Sequence, residues 1–201
     1  MIKFAEMSVL KKRLMALAGF VAVLWAIQAI NWASQYSLNI SLGLVPRQFY
    51  GLDGIVAMPV LHGSFPHLIS NTPPLILMGT LLAATATRAL IAVNAVIVVL
   101  GGALVWLFGS FAIHVGASGL VFGWFGFLLA RGLVDRSFTT LAAAVLVGLL
   151  YGSFVWGVLP GQPGVSWEAH LFGAIAGVVA AIVIRTHVHA PRTQNVERWS
   201  R

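Results

Sequence analysis

The 201-residue chain is 59% hydrophobic and only 8% charged, with a mean hydropathy of +0.93. A soluble domain carries about 25% charged residues, so this chain cannot solvate its own surface and we expect lipid to be its solvent. The formal net charge is +7, but the basic residues lie beside apolar stretches and not on a separate polar module, which argues against nucleic-acid binding. The sequence has no cysteine, which excludes disulfides, a thiolate nucleophile and cysteine-ligated metal.

Six apolar segments are long enough to cross a membrane core of about 30 Å. They lie near residues 14–33, 67–86, 88–109, 116–134, 138–159 and 167–186. The first is longer than the roughly 7 to 15 apolar residues of a signal peptide and is predicted to be a retained span. We therefore expect an all-α polytopic bundle without repeats or a second domain. Its parts would be a cytoplasmic segment 1–13, a six-helix membrane domain 14–186 and a basic tail 187–201.

A connection of more than thirty residues, 34–66, separates the first two segments. It contains Arg47, Asp53 and the aromatic pair Phe49 and Tyr50. A loop of this length in a compact protein is usually functional or partly embedded at the membrane interface. The later connections are short, so consecutive helices are expected to be antiparallel neighbours.

The positive charges predict the topology, because Lys and Arg near span ends are retained in the cytoplasm. With the N-terminus inside, the outer side holds only Arg47, whereas the inner side holds eleven basic residues. These are Lys3, Lys11, Lys12, Arg13, Arg88, Arg131, Arg136, Arg185, Arg192, Arg198 and Arg201. An even number of spans then places both termini in the cytoplasm.

Polar side chains converge at one depth of this topology. The second, fourth and sixth segments begin at the outer face, and their first turns contain His67 and Asn71, then Ser118, then His170. Polar groups at membrane depth are costly and indicate function by default. Hydropathy and charge alone therefore predict a polar site near the outer surface.

Ser118 lies in the segment Gly116-Ala117-Ser118-Gly119, where a loop turns into the fourth helix. A serine in the first turn has its hydroxyl beside unsatisfied N–H groups, which can stabilise a developing oxyanion. The alternative is ordinary small-residue packing between helices, and the Gly-x-Ser-Gly pattern taken alone favours it.

His170 shares a helical face with Gly173 and Gly177. Small residues on that face allow close approach of a neighbouring helix, and the fourth segment offers a matching strip of glycines at 119, 123 and 126. A serine hydroxyl needs an adjacent base, and neutral histidine suits that task. The alternative for His170 is a buried histidine bonded to a backbone carbonyl.

The second segment carries His67 and Asn71 at a spacing of four, on one helical face. Side-chain donors there could bind the negative oxygen of a tetrahedral intermediate. His62, before the helix, is expected to tie down the long loop. The alternatives are helix capping and interhelical hydrogen bonding. Pro73 and Pro74 have no backbone N–H, so the carbonyls one turn before them in the helix are left without their usual hydrogen-bond donors.

The remaining titratable residues offer no third catalytic group. Glu168 is about 200° around the helix from His170 and cannot easily orient its ring. His114 is expected in a loop, and His187 and His189 on the basic tail. There is no His-Glu-x-x-His motif, so neither a metal nor a cofactor is expected.

Together these residues resemble the rhomboid family of intramembrane serine proteases. The likeness lies in His-x4-His-x3-Asn in the second helix, Gly-x-Ser-Gly at the start of the fourth and Ala169-His170 in the sixth. It implies that Ser118 attacks the scissile carbonyl, and that His170 activates it and later protonates the leaving amine. No acidic residue would be needed as a third catalytic group.

The resemblance also implies that His67, Asn71 and Gly116 form the oxyanion and substrate-binding site. Phe122, where the family often has tyrosine, would pack against the His170 ring. One departure is the first outer loop. Many members carry a Trp-Arg pair there, whereas here Arg47 follows a proline.

The implied activity is hydrolysis of peptide bonds in or near transmembrane segments of membrane-protein substrates. The protein would lie in a cell membrane of bacterial type, in contact with the bilayer and not with nucleic acid, with its active site facing the extracytoplasmic side. The Gly- and Pro-rich turn 161–167 would be a mobile cap. The alternative is a catalytically inactive, rhomboid-like protein that holds membrane clients without cutting them. The sequence does not indicate an oligomeric state.

Overall fold

The computed structural model describes residues 2–86, 89–135 and 137–184, with side chains from residue 8 onward. Within these ranges the regular structure is helical, which confirms the predicted all-α class. The α-helices are α1 (Ile2–Ala33), α2 (Ser37–Leu42), α3 (Gly54–Ala57), α4 (Phe65–Thr85), α5 (Leu90–Phe108), α6 (Ser118–Asp135), α7 (Phe138–Tyr151) and α8 (Trp167–Val183). Short 3-10 helices cover Phe49–Gly51, Met58–Val60 and Gly152–Val158.

Five helical stretches are long and apolar enough to cross a membrane. They are Ser8–Ala33, Phe65–Thr85, Leu90–Phe108, Ser118–Asp135 and Phe138–Val158. The sixth expected span, α8, is apolar but has 17 residues, at the short end of the roughly 17 to 25 residues that span a bilayer. The predicted tail 187–201, the Lys3 side chain, Arg88, Arg136 and Arg185 lie outside the described residues, as do His187 and His189.

Serine side chains define where the later helices begin. The Ser64 hydroxyl accepts the His67 N–H at 3.1 Å at the start of α4, and the Ser166 hydroxyl accepts the Ala169 N–H at 3.2 Å at the start of α8. Ser137 caps α7 in the same way. Such caps satisfy donors that have no partner inside the helix. They fix the ends of α4 and α8 that carry the polar residues.

Glycines bring α6 and α8 into backbone contact, as their spacing predicted. A Cβ atom on Gly173 would overlap the carbonyl oxygen of Gly119, and one on Gly177 would overlap the carbonyl oxygen of Gly123. Only residues without a side chain allow this approach. The α6–α8 pair forms the most extensively packed interface of the bundle.

The long connection 34–66 is ordered by contacts with the end of α5. Arg47 adopts a left-handed conformation, with a φ of 58°, and its N–H donates to the Trp106 carbonyl at 2.9 Å. Its guanidinium donates to the carbonyls of Leu107 and Gly109 at 3.2 and 2.8 Å. The Trp106 indole in turn donates to the Gln48 carbonyl at 3.0 Å. The loop is therefore docked on the bundle and not free.

Two aromatic side chains of the docked loop face outward. Phe49 is 85% exposed and Tyr50 is 65% exposed. Exposed aromatic groups beside the ends of membrane helices are typical of segments at the lipid–water interface. Their exposure supports the expectation that this loop lies at the interface.

Candidate active site

A cavity of about 710 Å³ lies where the N-terminal ends of α4, α6 and α8 meet. It is lined by His67, Asn71, Ser118, Phe122 and His170. Three helices that are separate in sequence therefore bring these five side chains to one cavity. Its volume falls within the roughly 300 to 1,000 Å³ typical of ligand pockets.

Ser118 is the first residue of α6. The N–H groups of a first helical turn have no intrahelical acceptor and carry the positive end of the helix dipole. Before it, Gly116 has a φ of 132°, and its N–H donates to the Met58 carbonyl at 2.9 Å. A Cβ atom on Gly116 would lie 2.7 Å from Cε1 of His67. Glycine is therefore needed here for its conformation and for the space that the His67 ring occupies.

The ring of His170 is held by two contacts. Its Nδ1 lies 2.8 Å from the carbonyl oxygen of Gly157, and its face stacks on Phe122 with ring centres 4.1 Å apart and planes 4° from parallel. A carbonyl only accepts hydrogen bonds, so in the neutral ring Nδ1 carries the proton and Nε2 keeps its lone pair. Gly157 itself must be small, because a Cβ atom there would lie 2.8 Å from Cζ of Phe122.

Among the described residues, no hydrogen bond joins the Ser118 hydroxyl to His170. Catalytic hydrogen bonds are often long or poorly aligned without substrate and tighten when it binds. The geometry therefore places the Ser118 hydroxyl and the His170 ring in one cavity, with a lone pair on Nε2 of the neutral ring.

Asn71 presents an unused donor in the cavity wall. The residue is 6% exposed, and its Nδ2 atom has no hydrogen-bond partner among the described residues. A buried polar group without a partner is costly, and in native proteins it often marks a functional role. Nδ2 of Asn71 is therefore a buried, unpaired donor in the wall of the cavity.

His62 lies behind the cavity and connects several segments. Its Nε2 accepts the N–H of Ala117 at 3.3 Å, directly before the serine. Its carbonyl accepts the side-chain amides of Asn31, from α1, and Asn39, from α2, at 3.3 and 3.1 Å. The His62 carbonyl thus ties the end of the connection 34–66 to α1 and α2, and its ring also holds the turn that carries the serine.

The His62 ring is neutral near pH 7. Burial of the side chain, which has no exposed surface, and the neighbouring His67 lower its pKa from 6.5 to about 3. The rings of the two histidines meet edge to face at 5.1 Å. A neutral ring with Nε2 as acceptor is the form that can bind the Ala117 N–H.

A second polar network ties the α5–α6 connection to the start of α8. Nδ1 of His114 lies 2.7 Å from the Ser166 hydroxyl, and its Nε2 lies 2.9 Å from the Ser110 carbonyl. The Glu168 carboxylate accepts the Ser110 N–H at 3.1 Å. His114 is thus a buried loop residue, and Glu168 holds the connection and not the His170 ring.

Sequence reasoning missed three groups of this site. A bond from His170 to a backbone carbonyl was the alternative expected from the sequence, but nothing in the sequence identifies Gly157 as its acceptor. Asn31 was detectable in principle, because it is a polar residue within the first span and Gln28 lies one turn before it, whereas Asn39 lies outside the predicted spans. No cluster of three or more His, Asp or Glu side chains suited to a metal occurs in the described part of the chain.

Comparison with known proteins identifies the family of the chain. The family model described as Rhomboid domain matches residues 46–187. An uncharacterized protein of Mycobacterium tuberculosis is 38% identical over 174 residues, covering 82% of this chain and 72% of the relative. An uncharacterized protein of Mycobacterium leprae is 39% identical over 175 residues, covering 82% of this chain and 68% of the relative. The chain belongs to the rhomboid family.

Proposed function

We propose that this protein is an intramembrane serine endopeptidase with a Ser118–His170 dyad. The observation that carries the proposal is the setting of His170. The Gly157 carbonyl and the Phe122 ring fix its orientation and tautomer within the cavity that the Ser118 hydroxyl also lines. A client-binding protein needs neither a free imidazole nitrogen nor a hydroxyl at a helix start.

The proposed reaction follows from these positions. The Ser118 oxygen attacks the substrate carbonyl carbon while Nε2 of His170 takes the hydroxyl proton. The imidazolium then gives this proton to the leaving amine as the peptide bond breaks. Water hydrolyses the acyl-enzyme by the same steps in reverse order. The Gly157 carbonyl accepts the Nδ1–H of the His170 imidazolium and stabilises it. In a catalytic triad, an aspartate carboxylate performs this task.

The developing oxyanion has donors on two sides. The first-turn N–H of α6 approaches it from the serine, and the Asn71 amide and the His67 ring face it from α4. The unpaired Nδ2 atom of Asn71 supports this role, because an oxyanion would supply its missing acceptor. The Gly116 conformation supports it too, by making room for His67.

The proposed setting is a six-span bundle with both termini in the cytoplasm and the cavity facing the extracytoplasmic side. The cavity is large enough to admit the water that hydrolysis needs. Residues 164–167 border it, which supports a cap in the turn 161–167. Substrates would be transmembrane segments with helix-weakening residues near the outer interface, because a peptide bond within a stable helix is sheathed by side chains.

The test is cleavage of a single-span reporter in liposomes by the wild type, Ser118→Ala and His170→Ala. Ser41→Ala, at a position bonded only to the backbone of its own helix, is the control. We expect cleavage by the wild type and the control and loss of at least about 10³-fold in both dyad variants, with thermal stability maintained. Activity of a folded Ser118→Ala variant would reject the dyad.

The second candidate is a client-binding protein that does not cut. The missing Ser118–His170 hydrogen bond within the described residues is the observation that favours it. This candidate would be supported if the wild type does not cleave the reporter and if the wild type and the Ser118→Ala variant bind a transmembrane peptide equally well.

A further inference from the structure

A side-chain hydrogen bond joins the two segments that lead into Ser118 and His170. His114 lies four residues before Ser118, and Ser166 lies four residues before His170. Nδ1 of His114 is 2.7 Å from the Ser166 hydroxyl, although the two residues are 52 positions apart in the sequence. This bond, the clasp, therefore connects the chain just before each member of the proposed dyad.

The surroundings of the clasp fix its direction. Nε2 of His114 lies 2.9 Å from the Ser110 carbonyl oxygen, which can only accept, so in the neutral ring Nε2 carries the proton. Nδ1 therefore accepts the Ser166 O–H. The Ser166 oxygen in turn accepts the Ala169 N–H at 3.2 Å as the cap of α8. His114 is buried, so water competes little for these bonds.

On the Ser118 side, backbone hydrogen bonds hold the chain that runs from His114 to the serine. The N–H and the carbonyl of His114 pair with the backbone of Leu44 at 2.8 and 3.1 Å. The Gly116 N–H donates to the Met58 carbonyl at 2.9 Å. A displacement of His114 would therefore displace Ser118 as well.

On the His170 side, the chain that follows Ser166 is the first turn of α8. The Ser166 carbonyl accepts the His170 N–H at 3.3 Å, so both the backbone and the side chain of Ser166 hold this turn. The Gly157 carbonyl and Phe122 orient the His170 ring. The distance of the ring from Ser118, however, depends on where the first turn of α8 lies.

The proposed dyad lies between the clasp and the glycine contacts of α6 and α8. A Cβ atom on Gly173 would overlap the carbonyl oxygen of Gly119, and both glycines lie within one turn after the dyad residues. Among the described residues, no hydrogen bond joins Ser118 to His170 directly. Their separation is therefore set by the contacts on either side of them.

We infer that His114 and Ser166 are positioning residues, which hold the Ser118 oxygen within reach of Nε2 of His170. The inference rests on the proposed function, because it concerns the same reaction. Neither side chain exchanges a proton with the substrate. Loss of the clasp should therefore lower kcat by misplacing the reacting groups and should change KM little.

Two variants of His114 separate its two hydrogen bonds. Asparagine places an amide oxygen near the position of Nδ1 and can accept the Ser166 hydroxyl, whereas glutamine reaches the position of Nε2 and can donate to the Ser110 carbonyl. With the reporter in liposomes, we expect His114→Gln to lower kcat by about 10- to 100-fold and to change KM by less than about twofold. His114→Asn should retain at least about one third of the wild-type kcat.

Ser166→Ala removes the clasp from the other side, together with the cap of α8. Ser137→Ala, which removes the cap of α7, is the control for the loss of a cap. We expect kcat to fall in Ser166→Ala and to stay at the wild-type value in Ser137→Ala. Because His114 acts through Ser166, His114→Gln should lower kcat by less than about twofold further in the Ser166→Ala protein. A full additional loss in the double variant would overturn the inference.

Hydrogen exchange, measured by mass spectrometry, tests the clasp without a substrate. His114→Gln should exchange faster than His114→Asn in both segments, residues 110–117 and 164–172. If the wild type cleaves the reporter, equal kcat values for the two His114 variants would overturn the inference and leave the proposed function standing. If the wild type does not cleave, the proposed function fails. Faster exchange of both segments in His114→Gln would then still support the clasp, and equal exchange would overturn it.

Discussion

The α6–α8 interface and the α7 segment are packed in opposite ways. In the membrane-length window of α6, 61% of the residues are buried, whereas in the window that begins with α7 only 17% are. Backbone contact at Gly173 and Gly177 holds α6 against α8. By contrast, Leu149 and Trp156, in and after α7, are largely exposed in the structure.

This difference separates the proposed dyad from the carbonyl group that orients it. The helices that carry Ser118 and His170 are fixed by close packing, whereas the Gly157 carbonyl that orients His170 lies on the lightly packed segment. Segments with few buried contacts open at low free-energy cost. We therefore expect substrate access to move α7 and the residues after it, while α6 and α8 keep their positions.

A methyl group added to each region should have opposite effects on stability, and this is the largest expected change. A Cβ atom on Gly177 would overlap backbone atoms of Gly123 and lie 2.9 Å from the Phe127 nitrogen. Gly177→Ala should therefore destabilise the protein by about 1 to 3 kcal/mol or prevent folding. Thermal unfolding in detergent measures the effect.

Gly148→Ala, on α7, is the matched control. Its Cβ atom would meet only Leu129 Cδ2, at 3.8 Å, so we expect up to about 1 kcal/mol of stabilisation from helix propensity. Similar destabilisation by both variants would contradict the packing difference.

Asn71→Ala should separate activity from stability. Loss of an oxyanion donor typically lowers kcat by about 10² to 10³. Because Nδ2 has no partner among the described residues, its removal should leave the melting temperature unchanged or slightly higher. Kinetics with the reporter and thermal unfolding test both expectations. Parallel losses of activity and stability would indicate that Asn71 is structural.

Phe122→Leu should reduce kcat/KM by about tenfold, because the stacked ring that restrains His170 is worth about 0.5 to 1.5 kcal/mol. Phe122→Tyr keeps the ring and should retain most activity. Phe125→Leu is the control, since Phe125 packs on Phe122 and Phe154 with ring centres 6.4 and 5.9 Å away. Equal losses for Phe122→Leu and Phe125→Leu would argue against restraint of His170.

Acid should weaken the turn before Ser118 through His62. Its pKa is about 3 when folded and 6.5 as a free side chain, so the unfolded chain binds the extra proton first. The stability contributed by the neutral ring is therefore complete above pH 6.5 and declines by up to ~1.4 kcal/mol per pH unit below it.

His62→Gln provides the comparison, because its amide oxygen can accept the Ala117 N–H at any pH. Melting temperatures from pH 7.5 to 4.5 should fall more steeply for the wild type than for this variant. Superimposable slopes would show that His62 does not set the acid sensitivity.

The convergence of the polar residues could be predicted from the sequence because it depends on few variables. Alternating spans place the starts of α4, α6 and α8 on one side, and helical spacing fixes the faces of Asn71 and His170. The close α6–α8 contact followed from the glycine spacing. These predictions need only the period and direction of each helix.

Features that depend on irregular backbone could not be predicted. The span expected at 138–159 changes after Tyr151 into a 3-10 helix, and this turn presents the Gly157 carbonyl to His170. The connection 34–66 folds into α2 and α3 and is docked by Arg47, which has a left-handed conformation. The extension of α1 toward the N-terminus, beyond its apolar residues, is regular helix instead. It is consistent with the high helix propensity of lysine and arginine.

Reaction with a fluorophosphonate probe tests most directly whether His170 activates Ser118, because the probe forms a bond to an activated serine oxygen without requiring a substrate. The protein in liposomes is labelled, and the modified residue is located by mass spectrometry. We predict labelling at Ser118 in the wild type and none in a folded His170→Ala variant. Labelling of Ser118 at the same rate in both proteins would contradict the proposed dyad.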